Sequence, residues 1–361
     1  MVIGGLDIGT TGCKITLYNE NGQLLYAGYK DYPVQRNQGA HLINAEDICT
    51  VVRALIQEAV RHEPDLAGIG VTSFGESFVL LDENDHVLYP AMLYTDPRGE
   101  EEVRELSSRL SRDQIASITG TVPHAMYSLP KLMWIKKNAP QVFKRASRVC
   151  LIQDYIVYML TGRAQIDYSL AARTLAFDIR KLTWSDAILE AAGIDRSLLS
   201  KPVPSGTCAG PIRASLAEKL HIPQSIQIVS CCHDQVSATV GAGVLEPGMA
   251  VDGTGTVECL TPLFEGIPDN FELQQSSIAI VPHAIPGKYV GYAFSFTGGA
   301  IIKWFIDHLA GYEKSACADS GLSVYDQLES GMKDGPTGLL VLPHFAGAAT
   351  PYMDYGSKGA V

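Results

Sequence analysis

A chain of 361 residues, 46% hydrophobic and 19% charged, is long enough for two domains and has the composition of a folded protein, not a disordered one. The formal net charge of −11, with no cluster of Lys and Arg, argues against a nucleic-acid partner, because a phosphate backbone rewards dense positive charge; a single nucleotide needs far less. No apolar run is long enough to span a membrane, no signal-peptide pattern opens the chain, and the eight cysteines show neither CxxC nor Cys/His metal spacing, so free thiols in a reducing cytoplasm are expected.

Residues 2–8 are apolar and β-prone, and Lys14–Tyr18 alternates again after the turn Gly9-Thr10-Thr11-Gly12. Asn21-Gly22 signals a hairpin that returns Gln23–Tyr29 as a third strand. Ile48, Val51, Val52, Leu55, Ile56 and Ala59 fall at helical spacing and predict a helix over about 46–61. Ala67–Thr72 reads as a strand, and 78–81 and 87–93 as a hairpin around Asp82-Glu83-Asn84-Asp85. A largely helical stretch covers about 99–200, with amphipathic helices near 129–138 and 153–161. Ile226–Ser230 is a buried strand that runs into Cys232-His233-Asp234-Gln235 and a small-residue helix ending by Val244. Glu246-Pro247-Gly248 marks a domain boundary, giving domains 1–245 and 246–361. Beyond it the opening pattern recurs. A strand at 249–252 leads to a second Gly/Thr turn, Gly253-Thr254-Gly255-Thr256, then strands at 257–260, 276–282 and 288–295. Thr297-Gly298-Gly299 and a helix carrying Ile301, Trp304 and Phe305 follow, and Gly338–Leu342 reads as one more strand. The recurrence predicts an α/β protein of two lobes with one topology facing a cleft; two similar glycine-rich hairpins are the alternative.

The two turns carry chemistry. Gly9 to Gly12 offers backbone N–H groups and the hydroxyls of Thr10 and Thr11 to a phosphate, with glycine permitting close approach. Lys14 adds a point charge, and Asp7, at the strand end, suits Mg²⁺ held through water. An ordinary tight hairpin is the competing reading. Asp234, after a strand and before a helix, is placed to deprotonate a hydroxyl, or else to cap the helix. Glu76 and Asp96 are acidic groups of the kind that bind polyol hydroxyls, or surface loop residues. Cys231-Cys232 reads as packing, because no placed base accompanies it.

These residues resemble the FGGY carbohydrate kinases of the actin/hexokinase/Hsp70-like ATPase superfamily. The resemblance runs over the whole chain and is most specific at Met126-Tyr127-Ser128-Leu129-Pro130-Lys131-Leu132-Met133-Trp134-Ile135-Lys136-Lys137-Asn138. Gln153-Asp154-Tyr155, Leu160-Thr161-Gly162, Asp167-Tyr168-Ser169 and Leu182-Thr183-Trp184-Ser185 are similar to family segments as well. So are His233-Asp234-Gln235 with Gly241-Ala242-Gly243, the second Gly/Thr turn, and Gly298-Gly299-Ala300. The resemblance implies two RNase H-like lobes, ATP and Mg²⁺, and phosphorylation of a sugar or polyol hydroxyl in the cytoplasm, with no nucleic acid or membrane and a homodimer left open. Asp234 is then the general base and Asp7 the support for Mg²⁺. Thr10, Thr11 and Lys14 face the phosphates from one lobe, and Thr254, Gly298 and Gly299 from the other. Glu76, Tyr94, Asp96 and Gln235 lie along the sugar. Glycerol kinases carry Arg where this chain has Gly75, and xylulose kinases carry Gln-Met-His-Gly where it has Phe74-Gly75-Glu76-Ser77, so neither substrate is predicted. Members continue past a segment resembling His344 to Val361; the second lobe is therefore expected to be incomplete, to expose an edge and an apolar face, to lack the adenine-binding segment and to work poorly alone. A non-catalytic sugar-binding or regulatory protein is the alternative, and an ATPase with a protein partner the third.

Overall fold

Strand Val2–Ile8 buries Val2, Leu6 and Ile8 and turns Ile3, Gly5 and Asp7 outward, the period of two that a sheet imposes. It pairs antiparallel with Gly12–Asn19, which pairs antiparallel with Leu24–Asp31. On its other side it pairs parallel with Leu66–Ser73, which pairs parallel with Gln227–His233, and Thr207–Pro211 closes the far edge antiparallel. The order of this six-stranded sheet places the two parallel partners beside the opening hairpin. The computed structural model describes residues 1–37, 39–255, 257–268, 276–354 and 356–361.

Helix Ala45–His62 begins where the Asn44 side chain accepts a hydrogen bond from the Glu46 N–H. Glu46 and Asp47 in its first turn, and Arg61 and His62 in its last, suit the helix dipole. Its apolar stripe of Ile48, Val52, Leu55, Ile56 and Ala59 joins the core that also holds Leu6, Ile8, Ile15, Leu17, Ile69 and Val71. Helix Ile152–Thr161 joins the same core through Tyr155, Ile156, Val157 and Leu160. The stretch at 99–200 is helical as expected, with helices Glu100–Arg109, Arg112–Thr119, Ser128–Asn138, Pro140–Arg145, Ile152–Thr161, Tyr168–Ala172 and Asp186–Ala192. Short strands interrupt it, among them Arg148–Leu151 on Phe78–Leu81 and Phe177–Asp178 on Thr183–Trp184.

The chain forms two compact units, the first mainly Met1–Met249 with Ile280–Val290, the second mainly Ala250–Pro262 with Gly291–Val361. The segment at 280–290 departs from a single boundary near 246 because its polar groups are tied to the first unit. The Ile280 N–H donates to Gly120 O at 2.8 Å, the Tyr289 hydroxyl donates to Ile179 O at 2.8 Å, and His283 Nε2 lies 3.0 Å from Thr239 Oγ1.

A second sheet orders Ala250–Thr254, Glu258–Glu265, Lys288–Ser295 and Ala279–Pro282, and helix Gly299–His308 follows it. Strand, Gly/Thr turn, strand, later strand on the second, then helix is also the order in the first unit. Thr256 of the second turn lies outside the described residues. The strand expected from 276 starts at Ala279, since Ser277 takes a left-handed φ of 55° that no extended run contains. The run at 338–342 is not a strand. Only Leu342 bridges, to Ala360, and Leu339, Leu340 and Val341 are exposed. Ile302, Trp304, Phe305 and Leu309 of the second unit are exposed as well. Among the described residues no helix is long and apolar enough to cross a membrane.

A small apolar cavity in the first unit is lined by Leu129, Leu132, Ile166, Trp184 and Leu189, and also by Asp154. Ser200 Oγ donates to Asp154 Oδ2 at 2.6 Å, while Oδ1 has no partner among the described residues. Burial pushes this carboxyl up to about 7 against the pull of Ser200. The folded state therefore holds a proton that the unfolded state releases near pH 4, so Asp154 stabilises the fold below that pH and the contribution is lost as pH rises to about 7. Asp154→Asn is expected to raise stability at pH 8 by on the order of 1–3 kcal/mol, because a neutral amide replaces a buried carboxyl that ionises at that pH without full partners. Urea unfolding at pH 8 and pH 5 checks this: the gain must shrink at pH 5, and a loss at pH 8 contradicts the account.

Candidate active site

The first Gly/Thr turn is closed by the Gly9 N–H donating to Gly12 O at 2.9 Å. The Tyr32 hydroxyl donates to Gly9 O and the Tyr32 N–H to Thr11 O, so the turn is held from behind while Thr11 and Lys14 face solvent and Thr10 is half-buried. Position 12 must be glycine, because a Cβ there would lie 2.5 Å from the Tyr29 hydroxyl and 2.7 Å from Lys30 O. Asp7 and Lys14 are register partners on the outward side. Asp7 is solvent-exposed, yet the protein packed around it raises its carboxyl pKa, with Lys14 opposing.

Asp234 is positioned by a fault in the sheet. The parallel ladder between Leu66–Ser73 and Gln227–His233 shifts register between Ser230 and His233, a bulge-like break. The backbone groups released there find partners in distant segments. Gln153 Nε2 donates to Cys231 O and, at 3.0 Å, to Val71 O. Thr72 Oγ1 donates to Cys232 O and receives a hydrogen bond from Ser237 Oγ at 3.0 Å. The His233 N–H donates to Ser169 Oγ at 2.8 Å, and Ser169 in turn donates to Asp167, the side-chain cap of helix Tyr168–Ala172. The chain then enters helix Asp234–Gly241.

The Asp234 side chain is 30% exposed and accepts from the Gln235 N–H at 2.6 Å. His233 Nε2 lies 3.2 Å from Asp234 Oδ1; burial, with Arg173 nearby, holds this imidazole well below its usual pKa and therefore uncharged. Desolvation by the surrounding protein raises Asp234 to about 7, and Asp7 and Glu76 add like-charge repulsion while the Gln235 N–H and Arg173 oppose it.

Glu76 is buried, not a surface loop residue, and holds a left-handed φ of 64°, a conformation that costs a non-glycine residue about 1–3 kcal/mol. It is ion-paired with Arg173, which the sequence reading passed over. Its backbone oxygen accepts from Ser128 Oγ at 2.6 Å. Asp96 is also buried, and both its oxygens are engaged. Arg98 Nε donates to Oδ1 at 2.8 Å, Nη2 to Oδ2 at 2.6 Å, and the His41 N–H to Oδ2 at 2.8 Å. Burial pushes that carboxyl up, but these bonds outweigh it and leave it below its usual range. Tyr94 is 38% exposed two residues earlier. The first unit thus brings Asp7, Glu76, Arg173, His233 and Gln235 to bear on Asp234.

In the second unit Gly298 and Gly299 press on the second Gly/Thr turn. The Gly299 N–H donates to Gly255 O at 2.7 Å, and the Gly255 N–H to Val257 O at 2.9 Å. A Cβ at 298 would sit 2.9 Å from Val257 O, and one at 299 would sit 2.9 Å from Gly255 O. Thr254 is exposed at the strand end. A helix N-terminus thus starts beside this turn, an arrangement suited to an anion.

Residues 2–241 match the N-terminal domain of the FGGY family of carbohydrate kinases. The chain belongs to this family. It is a carbohydrate kinase, an enzyme that phosphorylates a sugar or polyol hydroxyl. It is 26% identical over 363 residues to a xylulose kinase of Lactococcus lactis subsp. lactis (strain IL1403), across 99% of this chain and 70% of that one. It is 26% identical over 364 residues to a gluconokinase of Bacillus subtilis (strain 168), with the same 99% and 70% coverage. The crystal structure of a xyloylose kinase from Brucella ovis matches with a TM-score of 0.87 at 25% identity, over 100% of this chain and 72% of that one. The α/β fold is that of FGGY kinases, with actin-like ATPase architecture. In this FGGY kinase, Ser169→Ala removes the acceptor that holds the His233 N–H. It is expected to cost about 1–2 kcal/mol in urea unfolding and to lower kcat with the sugar KM little changed, while Ser169→Thr restores both. A change confined to KM would contradict this placement.

Proposed function

We propose that this kinase moves the γ-phosphoryl group of ATP to a hydroxyl of a small sugar or polyol, with Asp234 as the general base. The observation that carries the proposal is Asp234 itself, a half-buried carboxyl at the broken end of the ladder, raised to about 7. A base is most useful when its pKa lies near the working pH, and phosphoryl transfer otherwise asks mainly for positioning and charge. Glu76, Tyr94 and Gln235 line the sugar in this reading, and Asp96 keeps the Tyr94–Arg98 segment in shape. Thr10, Thr11 and Lys14 hold phosphate oxygens from residues 1–245, the sugar-binding lobe. Thr254, Gly298 and Gly299 do so from residues 246–361, the nucleotide-binding part. Eight cysteines free of disulfides fit a cytoplasmic protein.

Among the described residues no group of three or more His, Cys, Asp or Glu is arranged to hold a metal. Mg²⁺ keeps several waters and relies on one or two carboxylates plus substrate phosphates, here Asp7 with the nucleotide. When bound, the ion neutralises charge on the phosphate oxygens. The residues do the rest: Asp234 takes the hydroxyl proton, neutral His233 keeps its carboxylate oriented, and Lys14 draws the phosphate toward the hairpin.

Xylulose and gluconate, for which two relatives are named, are the first acceptors to test. Asp234→Asn is expected to lower kcat at least about 100-fold in a coupled ADP-release assay, with sugar binding by calorimetry retained. The base works deprotonated, so kcat/KM of the unsubstituted enzyme should fall as pH drops below about 7, and the residual rate of the variant should lack that limb. Retained turnover in Asp234→Asn would sink the assignment.

A further inference from the structure

Glu76 and Arg173 lie 97 residues apart in sequence, and each side chain is only 6% exposed. Arg173 Nε donates to Glu76 Oε1 at 2.7 Å, and Nη2 lies against the same oxygen. Both of these contacts fall on Oε1. The guanidinium also lies over the Tyr127 ring, 5.1 Å from its centroid. Glycine at 75 makes the pairing fit: a Cβ there would lie 3.0 Å from Arg173 Cγ and 3.0 Å from His233 Cδ2 and Nε2. A side chain at 75 would have to displace the guanidinium from Glu76 or the imidazole from beside Asp234.

From this geometry we infer that the sugar-binding end of the site takes uncharged sugars or polyols and rejects sugar acids, with Arg173 as the residue that sets this preference. The inference rests on the reading that Glu76 lines the sugar. A substrate carboxylate loses its water shell on entry and needs a cation to offset that loss. Arg173 is already neutralised inside the protein. Arg98 is engaged by Asp96, Lys131 is fully buried and donates to Ala125 O, and Lys14 stands opposite Asp7 on the phosphate hairpin. Arg98, Lys131 and Lys14 therefore each have another task. The Glu76 carboxylate, by contrast, is an acceptor, suited to a sugar hydroxyl and unsuited to a substrate anion. The pair makes discrimination steep because a buried charge left unmatched is penalised far more than a lost contact.

Calorimetry on the full chain tests the inference with glycerol, erythritol, D-xylulose and D-gluconate as probes, alongside Glu76→Gln, which strips Arg173 of its counter-charge. The unsubstituted chain is expected to bind at least one uncharged probe, and to bind D-gluconate at least about tenfold more weakly. Glu76→Gln is expected to move the gluconate-to-uncharged affinity ratio at least about tenfold toward gluconate, and Glu76→Asp to leave it in place. D-Gluconate as the tightest ligand of the unsubstituted chain overturns the charge inference and leaves the sugar-site reading standing. An unmoved ratio in a Glu76→Gln chain that melts cooperatively does the same. If none of the probes binds, the assignment of Glu76 to the sugar falls and takes the inference with it. Should Glu76→Gln fail to fold, the ratio in the unsubstituted chain decides.

Discussion

The parallel ladder between Leu66–Ser73 and Gln227–His233 breaks two residues before its end, and much of the first unit is organised around that break. A strand end inside a protein leaves N–H and C=O groups that must find partners, since water is not there to serve them. Three segments supply those partners: Gln153 from helix Ile152–Thr161, Thr72 from the neighbouring strand, and Ser169 from the helix that Asp167 caps. Two of the three belong to the long helical stretch between the sheet's strands. That stretch is therefore not an ornament on the sheet. It fixes where the chain leaves the sheet, and so the direction in which Asp234 points.

Charge is arranged around the same place with little margin. Asp7 and Glu76 lie within electrostatic reach of Asp234, and both add to its reluctance to ionise. Arg173 pairs with Glu76, Lys14 partly offsets Asp7, and His233 stays neutral through its burial. Asp234 is left as the carboxyl pushed toward neutrality. Burying an Arg–Glu pair contributes little to stability by itself, but removing either partner leaves a charge stranded in a low dielectric. Such a pair persists more readily for what it does to its neighbours than for what it adds to the fold.

The sequence was informative wherever local chemistry dominates. The first Gly/Thr turn, the helix carrying Ile48 to Ala59 and the strand-to-helix junction at Asp234 are written in adjacent residues, and the structure puts them where their pattern says; the second turn comes two residues later than its pattern says, since Gly253 and Thr254 still pair in the strand. Arg173 was missed because its meaning is 97 residues away, in Glu76. One signal was available: a single charge inside the run Leu170-Ala171-Ala172-Arg173-Thr174-Leu175-Ala176-Phe177, where burial demands a partner. The register shift before His233 was not legible, since the bonds that hold it come from side chains 64 and 78 residues away. Glu76 and Asp96 look like loop acids in one dimension and are buried ion-pair members in three. The apolar run at 338–342 fails as a strand for the converse reason: its residues suit one, but a strand exists only with a partner, and Leu342 alone finds one.

Two of the three tryptophans, Trp184 and Trp304, sit in different units and differ for spectroscopy. Trp184, in the first unit, is 4% exposed, donates to Ser200 O at 2.9 Å and meets Phe177 edge-on at 84°. Trp304, in the second unit, is 46% exposed and stacks on His308. An indole shut away from water emits toward the blue and moves red when its surroundings melt, whereas one already in water has little further to move. A change in Trp184 emission therefore reports on the first unit, and Trp304 has less to add from the second, so a fluorescence melt weights the first unit more than a calorimetric melt does.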